Sequence, residues 1–226
     1  MAKRKLQRFA DVATMSFVVE PPIEMVLNNN SPIKGNWRKD MFKNDHPIVL
    51  ELGCGKGEYA VAMGKKYLNK NYIGVDIKGA RIWYGASTVR EEKIKNVAFL
   101  RTRIDYCTYF FEENEVDEIW LTFSDPQRKR PRKRLTSKIF VDRYKEFLKP
   151  GGLVHLKTDS SLLFASTLEQ IELQGYELLE KSWDLYGEMI DNLDQDTQEI
   201  LNVKTHYEQI FTDKGFDIKY VKFKIH

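Results

Sequence analysis

A short apolar run followed at once by three alternating glycines limits the folds available to this chain. Residues 48–52 (IVLEL) predict a strand buried on both faces, because the run is brief and contains β-branched side chains. Gly53, Gly55 and Gly57 follow, and the apolar positions of residues 59–63 suit a helix. Glycines let the backbone turn tightly and approach a ligand, and a helix start offers unpaired N–H groups. The stretch therefore predicts the opening of a nucleotide-type βαβ unit.

The spacing of these glycines argues against a dinucleotide site. A dinucleotide-binding turn has the pattern G-x-G-x-x-G, whereas here the third glycine comes one residue early and Glu58 occupies the expected position. Glu51 also lies near the end of the strand, where a carboxylate would repel the pyrophosphate of a dinucleotide. A strand-end acid that simply faces solvent is the alternative interpretation of Glu51.

The composition is that of a globular chain with a substantial core. Its 226 residues are enough for one large α/β domain or two small ones, and 42% of them are hydrophobic. The formal net charge of +3 is too small to predict a polyanionic partner by itself. Cys54 and Cys107 are too few for a disulfide framework and lack metal-ligand spacing, which favours reduced thiols in a cytoplasmic protein. The sequence predicts no membrane span, signal peptide or bound metal.

From residue 48 onward, predicted strands alternate with predicted helices. Six strands follow the first one, at residues 72–76, 97–100, 116–123, 153–159, 176–185 and 218–225. Apolar residues at helical spacing predict helices near residues 59–63, 80–89, 106–111, 137–148 and 161–173. This alternation predicts a Rossmann-like α/β fold, with a mostly parallel seven-stranded sheet and helices on both faces. Two consecutive strands at the end of the chain predict one antiparallel edge strand.

The residues before this region show no clear periodicity. The basic residues Lys3, Arg4, Lys5 and Arg8 indicate either an RNA contact or a frayed, solvated terminus. Breakers at residues 21–22 and 28–32 favour a loop over a second domain. We therefore expect residues 1–46 to be an N-terminal extension that is partly flexible, and residues 47–226 to form a single domain.

Acidic residues lie at or just beyond the carboxyl ends of the first five strands of the predicted sheet. They are Glu51, Asp76, Asp105, Asp125 and Asp159. Because ligands of such sheets bind beyond the carboxyl ends of the strands, we expect all five acids at one rim. Asp76 lies about 20 residues beyond the glycine turn, the spacing at which an acid accepts from both ribose hydroxyls of a nucleoside. Capping of the next helix is the alternative for Asp76. Asp105 suits either an adenine amino group or a helix cap.

A strongly basic run begins directly after Asp125. Six of the seven residues 128–134 (RKRPRKR) are basic, and Pro131 is the exception. A solvated charged surface is the ordinary explanation of such a run. This run, however, starts at the expected ligand rim, where cations suit the phosphate backbone of a nucleic acid. The sequence therefore favours an RNA contact here.

Four motifs, in order along the chain, resemble those of a known family. Residues 51–57 (ELGCGKG) resemble the first motif of class I S-adenosylmethionine-dependent methyltransferases. Residues 125–134 resemble the D-P-x-x-K…K-R motif of the bacterial tRNA (guanine-N7)-methyltransferases. Residues 157–159 (KTD) and residues 205–208 (THYE, resembling T-x-Y-E) match the same family. The resemblance extends over most of the chain, from the first predicted strand to the last.

The sequence departs from the family pattern beside its key acid. Where the family usually has Phe-Pro-Asp-Pro-Trp, residues 123–127 read FSDPQ. Ser124 thus replaces a proline, and Gln127 replaces an aromatic side chain that could stack on a base. Asp76 stands where the family more often has glutamate, which shortens the reach but keeps the carboxylate.

The resemblance implies a methyltransferase that moves the methyl group of S-adenosylmethionine to N7 of a guanine in tRNA, at the variable loop, and releases S-adenosylhomocysteine. It implies cofactor binding by Glu51, Gly53, Gly55, Gly57, Asp76, Asp105 and Asp125. Asp125 would also be the catalytic residue that positions the base. RNA contacts would come from Lys129, Arg132, Lys133, Arg134, Asp159, Thr205 and Glu208. The implied partner is tRNA, with no metal, membrane or obligate protein partner, and the implied location is cytoplasmic.

Two other functions remain open from the sequence. A non-catalytic RNA-binding protein could retain the fold and the basic run, given the changes at Ser124 and Gln127. A dinucleotide-linked oxidoreductase is disfavoured by the glycine spacing and by Glu51.

Overall fold

The predicted strand at residues 48–52 forms the centre of an eight-stranded sheet in the computed structural model, which describes residues 2–22, 24, 25, 28 and 31–226. The strands are β1 (Val18–Val19), β2 (Ile48–Leu52), β3 (Asn71–Asp76), β4 (Val97–Arg101), β5 (Val116–Thr122), β6 (Leu148–Thr158), β7 (Glu177–Ser182) and β8 (Lys219–Lys224). Their order across the sheet is β1-β4-β3-β2-β5-β6-β8-β7. Every neighbouring pair is parallel except the two pairs of β8, which runs antiparallel to β6 and β7.

The Rossmann-like, mostly parallel α/β fold expected from the sequence is confirmed. The sheet has eight strands rather than seven, because Val18–Val19 pairs with β4 at one edge. The antiparallel strand β8 lies one place inside the other edge, since β7 pairs with its outer side. Strand β6 begins at Leu148, earlier than predicted, because Leu148 pairs with Val116 across a bulge. Within the loop predicted over residues 28–32, Asn29 and Asn30 lie outside the described residues.

Helices cover both faces of the sheet, as the alternating pattern predicts. The described α-helices are α1 (Ala2–Val12), α2 (Glu58–Lys66), α3 (Gly79–Glu92), α4 (Lys138–Lys145), α5 (Ser161–Gln174), α6 (Gln195–Leu201) and α7 (His206–Asp213). Apolar residues of α1, α2, α3 and α6 form the core on one face. Residues of α4, α5 and a π-helical turn at Trp37–Phe42 form the core on the other face. The helix predicted near residues 106–111 is a 3-10 turn at Ile104–Tyr109.

Helix α1 lies in the segment without clear sequence periodicity, and it packs on α3. Val12 is fully buried. The Arg8 guanidinium carbon lies 4.8 Å from the centre of the Trp83 ring, and Asp11 Oδ1 accepts from Arg90 Nη1 at 2.7 Å. The packing of these side chains stabilises the helix in a way that local sequence does not predict, because a short helix depends on tertiary contacts.

The order of the strands creates a crevice beside β2. From β2 the chain builds β3 and β4 on one side, then crosses to build β5 and β6 on the other. The loops after β2 and β5 therefore diverge, which leaves space beyond the carboxyl ends of these strands. No helix in the described part of the chain has the length and apolar character needed to cross a membrane.

Candidate active site

A cavity of about 620 Å³ lies beyond the carboxyl ends of β2, β3 and β5. Its wall contains the glycine turn after β2, the end of β3, the turn after β5 and the start of α7. The polar and charged residues in this wall are Glu51, Lys56, Glu58, Asp76, Lys78, Arg81, Thr122, Ser124, Asp125, Gln127, Lys133, Thr205, His206 and Tyr207. The location agrees with the general rule for ligands of open α/β sheets.

Two glycines of the turn have different physical reasons to be glycine. Gly57 has a φ of +70°, and a Cβ there would lie 2.5 Å from Phe99 Cε1, so a side chain would collide with the core. Gly55 has a φ of +56°, and a Cβ there would meet nothing within 4 Å. Gly55 lies in the cavity wall, and because it has no side chain its backbone leaves room for a ligand. Gly53 completes the turn with a φ of +83°.

Asp76 holds the glycine turn in place from the end of β3. Its Oδ2 accepts from the backbone N–H of Gly55 at 2.9 Å, and its Oδ1 accepts from the backbone N–H of Lys78 at 2.8 Å. Its side chain does not cap α3, whose N-cap residue is Lys78. A carboxylate offers about four lone-pair sites, so Asp76 keeps acceptor capacity for a ligand in the cavity.

Glu51 is a buried acid rather than a solvated one. Its side chain is 3% exposed, its Oε1 accepts from Thr122 Oγ1 at 2.7 Å, and its Oε2 accepts from the Ala60 N–H at 3.0 Å. Burial raises the pKa of Glu51 to about 7, against the opposing effect of these two hydrogen bonds. The side chain therefore lies in the cavity wall with a carboxyl group that a nearby cation would help to ionise.

Asp125 lies exposed on a turn whose backbone is strained on both sides. Phe123 and Gln127 have φ values of 51° and 46°, in the left-handed region that residues other than glycine rarely occupy. The Gln127 N–H donates to Asp125 Oδ1 at 2.8 Å and fixes the carboxylate. A strained backbone persists only where the surrounding fold holds it, and such positions cluster at functional sites.

The other two strand-end acids lie outside the cavity wall. The Asp105 carboxylate contacts Arg103 at 3.2 Å, and both Lys133 and Arg143 at 3.4 Å. Partial burial would raise the pKa of Asp105, but these cations outweigh it and hold the pKa below its usual value. Asp159 is half-buried, and burial raises its pKa. The structure thus brings Glu51, Asp76 and Asp125 into one cavity wall and leaves Asp105 and Asp159 outside it.

The basic loop, defined here as residues 128–134, contains side chains in two different settings. Lys129 and Arg132 are exposed to solvent. Lys133 is also exposed, but it lines the cavity and contacts Asp105. Arg134 is buried: its Nε donates to Pro126 O at 3.0 Å and its Nη1 donates to Ser166 Oγ at 2.7 Å. Arg134 therefore anchors the loop to the protein itself.

The T-x-Y-E motif fixes α7 against the end of β6. Thr205 caps α7 by accepting from the Glu208 N–H at 3.2 Å, and Thr205 lines the cavity. Glu208 is fully buried, and its Oε1 lies 2.8 Å from Nζ of the equally buried Lys157 on β6. Lys157 also donates to Tyr186 Oη at 3.1 Å. This ion pair places Thr205, His206 and Tyr207 in the cavity wall, while Glu208 itself stays out of solvent.

Some cavity residues carry no signal in the sequence. Lys78 and Arg81 line the wall from the start of α3, and the Arg81 guanidinium carbon lies 5.7 Å from the centre of the exposed Tyr207 ring. The Lys157–Glu208 pair joins residues 51 positions apart (208 − 157), which no local pattern reveals. The KTD and THYE motifs mark both residues but not their contact, and a lysine inside the apolar run of β6 indicates only that it needs a partner.

Comparison with known proteins identifies the family of the chain. A family model described as "Putative methyltransferase" matches residues 45–221. The tRNA (guanine-N(7)-)-methyltransferase of Bacteroides thetaiotaomicron is 49% identical, over 100% of this chain and 87% of that protein. The protein of the same name from Christiangramia forsetii is 46% identical, over 99% of both chains.

The chain belongs to the tRNA (guanine-N7)-methyltransferase family. Solved structures of more distant proteins have the same fold as this methyltransferase. The superposition on the 16S rRNA methyltransferase KamB covers 86% of this chain and 95% of the KamB chain, with a TM-score of 0.64 and 11% sequence identity. The superposition on a 30S ribosomal A1408 methyltransferase from an uncultured bacterium covers 87% of this chain and 96% of that protein, with a TM-score of 0.57 and 14% sequence identity. In the described residues of this methyltransferase, no three His, Cys, Asp or Glu side chains group as metal ligands.

Proposed function

We propose that this protein transfers the methyl group of S-adenosylmethionine to N7 of a guanine in the variable loop of tRNA. The observation that carries the proposal is the single cavity wall in which the glycine turn, two strand-end acids and the Asp125 turn meet, with the basic loop at its side. Membership of the family supports the same reaction.

The residues of the cavity fit S-adenosylmethionine. The volume of about 620 Å³ is typical of a small-molecule site. The ribose hydroxyls would donate to Asp76, which keeps acceptor capacity beside Gly55. The ligand carries positive charge on its sulfonium and ammonium groups, which Glu51 would offset once ionised. We assign no ligand contact to Asp105, because cations of the protein already surround it.

The proposed reaction does not require a general acid or a general base. S-adenosylmethionine supplies an electrophilic methyl group; the N7 lone pair forms the new bond while the methyl–sulfur bond breaks and its electron pair stays on sulfur. Because N7 carries no proton, the protein has only to align the base with the methyl group. Asp125 would accept from the guanine N1–H and amino group, and its charge would offset the cationic product. Asp125 suits this role better than Asp159, which lies outside the cavity wall.

The basic loop would hold the RNA backbone. Lys129 and Arg132 are exposed, and Lys133 lies at the cavity, so their cations can contact phosphates as the base enters. A guanine that is packed within tRNA must leave its stack to reach the cavity. We further propose that residues 47–226 are the methyltransferase domain and residues 1–46 an extension to it.

A methyl-transfer assay with a variant of Asp125 tests this function. We expect wild-type protein to move tritium from labelled S-adenosylmethionine to unmodified tRNA, and Asp125→Ala to lose about 100-fold or more of the single-turnover rate through misalignment. Calorimetry should find unchanged S-adenosylmethionine affinity in that variant. Asp45→Ala, which removes an exposed acid before β2, is the matched control and should behave as wild type.

Two outcomes would contradict the proposal. Wild-type single-turnover rates in Asp125→Ala would remove Asp125 from the reaction. Tight tRNA binding without methyl transfer by the wild-type protein would support the non-catalytic RNA-binding alternative.

A further inference from the structure

The turn after β5 presents a second polar side chain beside Asp125. Gln127 lines the same cavity as Asp125 and is partly exposed. Its backbone N–H donates to Asp125 Oδ1, whereas its side-chain amide makes no hydrogen bond with the described part of the chain. An amide group without a protein partner in a cavity wall has a donor and an acceptor to offer to a ligand.

The main chain at Gln127 is held in an unusual conformation at some energetic cost. Gln127 has a φ of 46°, a left-handed conformation that strains a residue with a Cβ. The hydrogen bond from its N–H to Asp125 Oδ1 closes the turn. The Asp125 carboxylate and the Cα–Cβ bond of Gln127 are therefore held close together, two residues apart on one closed turn.

The edge of guanine offers groups that Asp125 alone cannot satisfy. Guanine presents the N1–H and amino donors next to the O6 acceptor, and O6 lies beside N7. A carboxylate accepts only, so O6 needs a separate donor. Lys133 also lines the cavity, but its ammonium group lies 3.4 Å from Asp105 and is assigned above to the RNA backbone. A neutral donor has a further advantage, because methylation makes the base cationic and a nearby ammonium would oppose that charge.

We propose that the side-chain amide of Gln127 donates to O6 of the target guanine, next to the groups that Asp125 accepts. This inference rests on the proposed function and names the residue that completes recognition of the base. Contacts at O6 and at N1–H fix the rotation of the base in its own plane. That rotation determines where N7 points, so Gln127 is a specificity residue that also aligns the nucleophile.

Atomic substitution in the tRNA tests the contact. The substrates are tRNAs with guanosine, 6-thioguanosine or inosine at the target position, because sulfur is a weak acceptor at the O6 position and inosine lacks only the amino group. We expect the wild-type single-turnover rate to fall about 5- to 100-fold from guanosine to 6-thioguanosine, the effect of an unmade hydrogen bond in a site. Gln127→Met should lose a similar factor on guanosine and show little further loss on 6-thioguanosine. The ratio of rates between guanosine and inosine should not change in this variant.

Two further variants distinguish loss of the contact with O6 from a structural effect of the substitution. Gln127→Gly removes the amide but suits the left-handed backbone, and it should behave as Gln127→Met does. Ser124→Ala removes the neighbouring hydroxyl, which is buried without a hydrogen-bond partner in the described structure, and it should keep the wild-type ratio of guanosine to 6-thioguanosine rates.

The proposal is overturned if both Gln127 variants keep the wild-type ratio of guanosine to 6-thioguanosine rates. It is also overturned if Ser124→Ala alone abolishes that ratio, since O6 would then contact the hydroxyl. A wild-type protein that methylates no guanosine-containing tRNA would instead refute the proposed function, which separates the two failures.

Discussion

Two buried residues, Glu51 and His155, have pKa values that burial displaces in opposite directions. Burial disfavours the charged form of each side chain, so the pKa of Glu51 rises to about 7 and the pKa of His155 falls to about 4. Glu51 lines the cavity, whereas His155 lies in the core between Trp120 and Tyr220. We therefore expect the first shift to affect ligand affinity and the second to affect the stability of the fold.

The affinity for S-adenosylmethionine should rise with pH up to about pH 7. Below that value Glu51 is mostly protonated, and a cationic ligand that favours its carboxylate must displace the proton. Affinity should then fall by up to about tenfold for each unit of pH below 7. Calorimetric titration with S-adenosylmethionine, in two buffers of different ionisation enthalpy, measures the protons released on binding. The wild-type protein should release a proton from Glu51, and the Glu51→Gln variant should not. Equal pH dependence in the two proteins would show that Glu51 does not respond to the ligand.

Asp76→Ala should weaken S-adenosylmethionine binding by about 1–3 kcal/mol. The variant leaves ligand hydroxyls without an acceptor and also frees the Gly55 N–H that Asp76 holds. Calorimetry measures the affinity, and a thermal melt checks that the protein remains folded. An unchanged affinity would limit Asp76 to its contacts with Gly55 and Lys78.

At the scale of elements, the basic loop illustrates what sequence can and cannot predict. Its charge and its place after a strand-end acid follow from the sequence, and the structure puts the loop beside the cavity. The separate roles of its residues do not follow, because they depend on distant partners. Arg134 contacts Ser166 on α5, and Glu208 contacts Lys157 on β6, so two residues assigned to RNA from motifs alone are buried in the protein.

Replacement of Lys129, Arg132 and Lys133 by alanine should weaken tRNA binding through lost phosphate contacts. Each such contact contributes about 0.7–0.9 to the slope of log affinity against log salt, so the slope should flatten by about 1–3. Affinity should fall about equally for RNAs with and without the target guanine. Filter binding over a salt series gives the slopes, and S-adenosylmethionine affinity should not change.

The matched control for this loop is a triple variant at the opposite end of the sheet. Lys39, Lys95 and Lys145 are exposed and lie near the amino ends of β2, β4 and β6. Their replacement by alanine removes the same charge and should leave the slope unchanged. Parallel slopes for wild type and the loop variant would mean that RNA binds elsewhere on the protein.

At the scale of the whole molecule, the sheet and the position of the cavity could be predicted because they depend on strong local patterns. The run at Ile48–Leu52 and the glycines after it form the expected strand and turn. The edges of the fold could not be predicted in the same way. Strand β1 has only two residues, and its pairing with β4 depends on the packing of the segment before it. Short elements of this kind are stabilised by tertiary contacts rather than by their own sequence.

The stability of the fold should fall as pH decreases from about 6.5 to 4 because of His155. Its neighbours are Glu118, Lys70 and Lys222, and burial keeps the ring neutral down to a pKa of about 4. The unfolded chain binds a proton near pH 6.5, so stability is fully present above that pH and is lost below it, by up to about 3 kcal/mol. His155→Gln should lack this part of the pH dependence. Urea unfolding at several pH values measures it, and identical profiles for the two proteins would contradict the assignment.

Transfer of a methyl group to a tRNA with a single altered atom tests the proposed reaction most directly. Two tRNAs that differ only at the target position, one with guanosine and one with 7-deazaguanosine, are incubated with the protein and tritiated S-adenosylmethionine. Carbon replaces N7 in the second tRNA, which removes the lone pair and leaves the Watson–Crick edge intact. We predict label in the guanosine tRNA, recovered as N7-methylguanosine from the variable loop, and none in the 7-deazaguanosine tRNA. Equal labelling of the two tRNAs, or no labelling of either, would contradict a guanine-N7 methyltransferase.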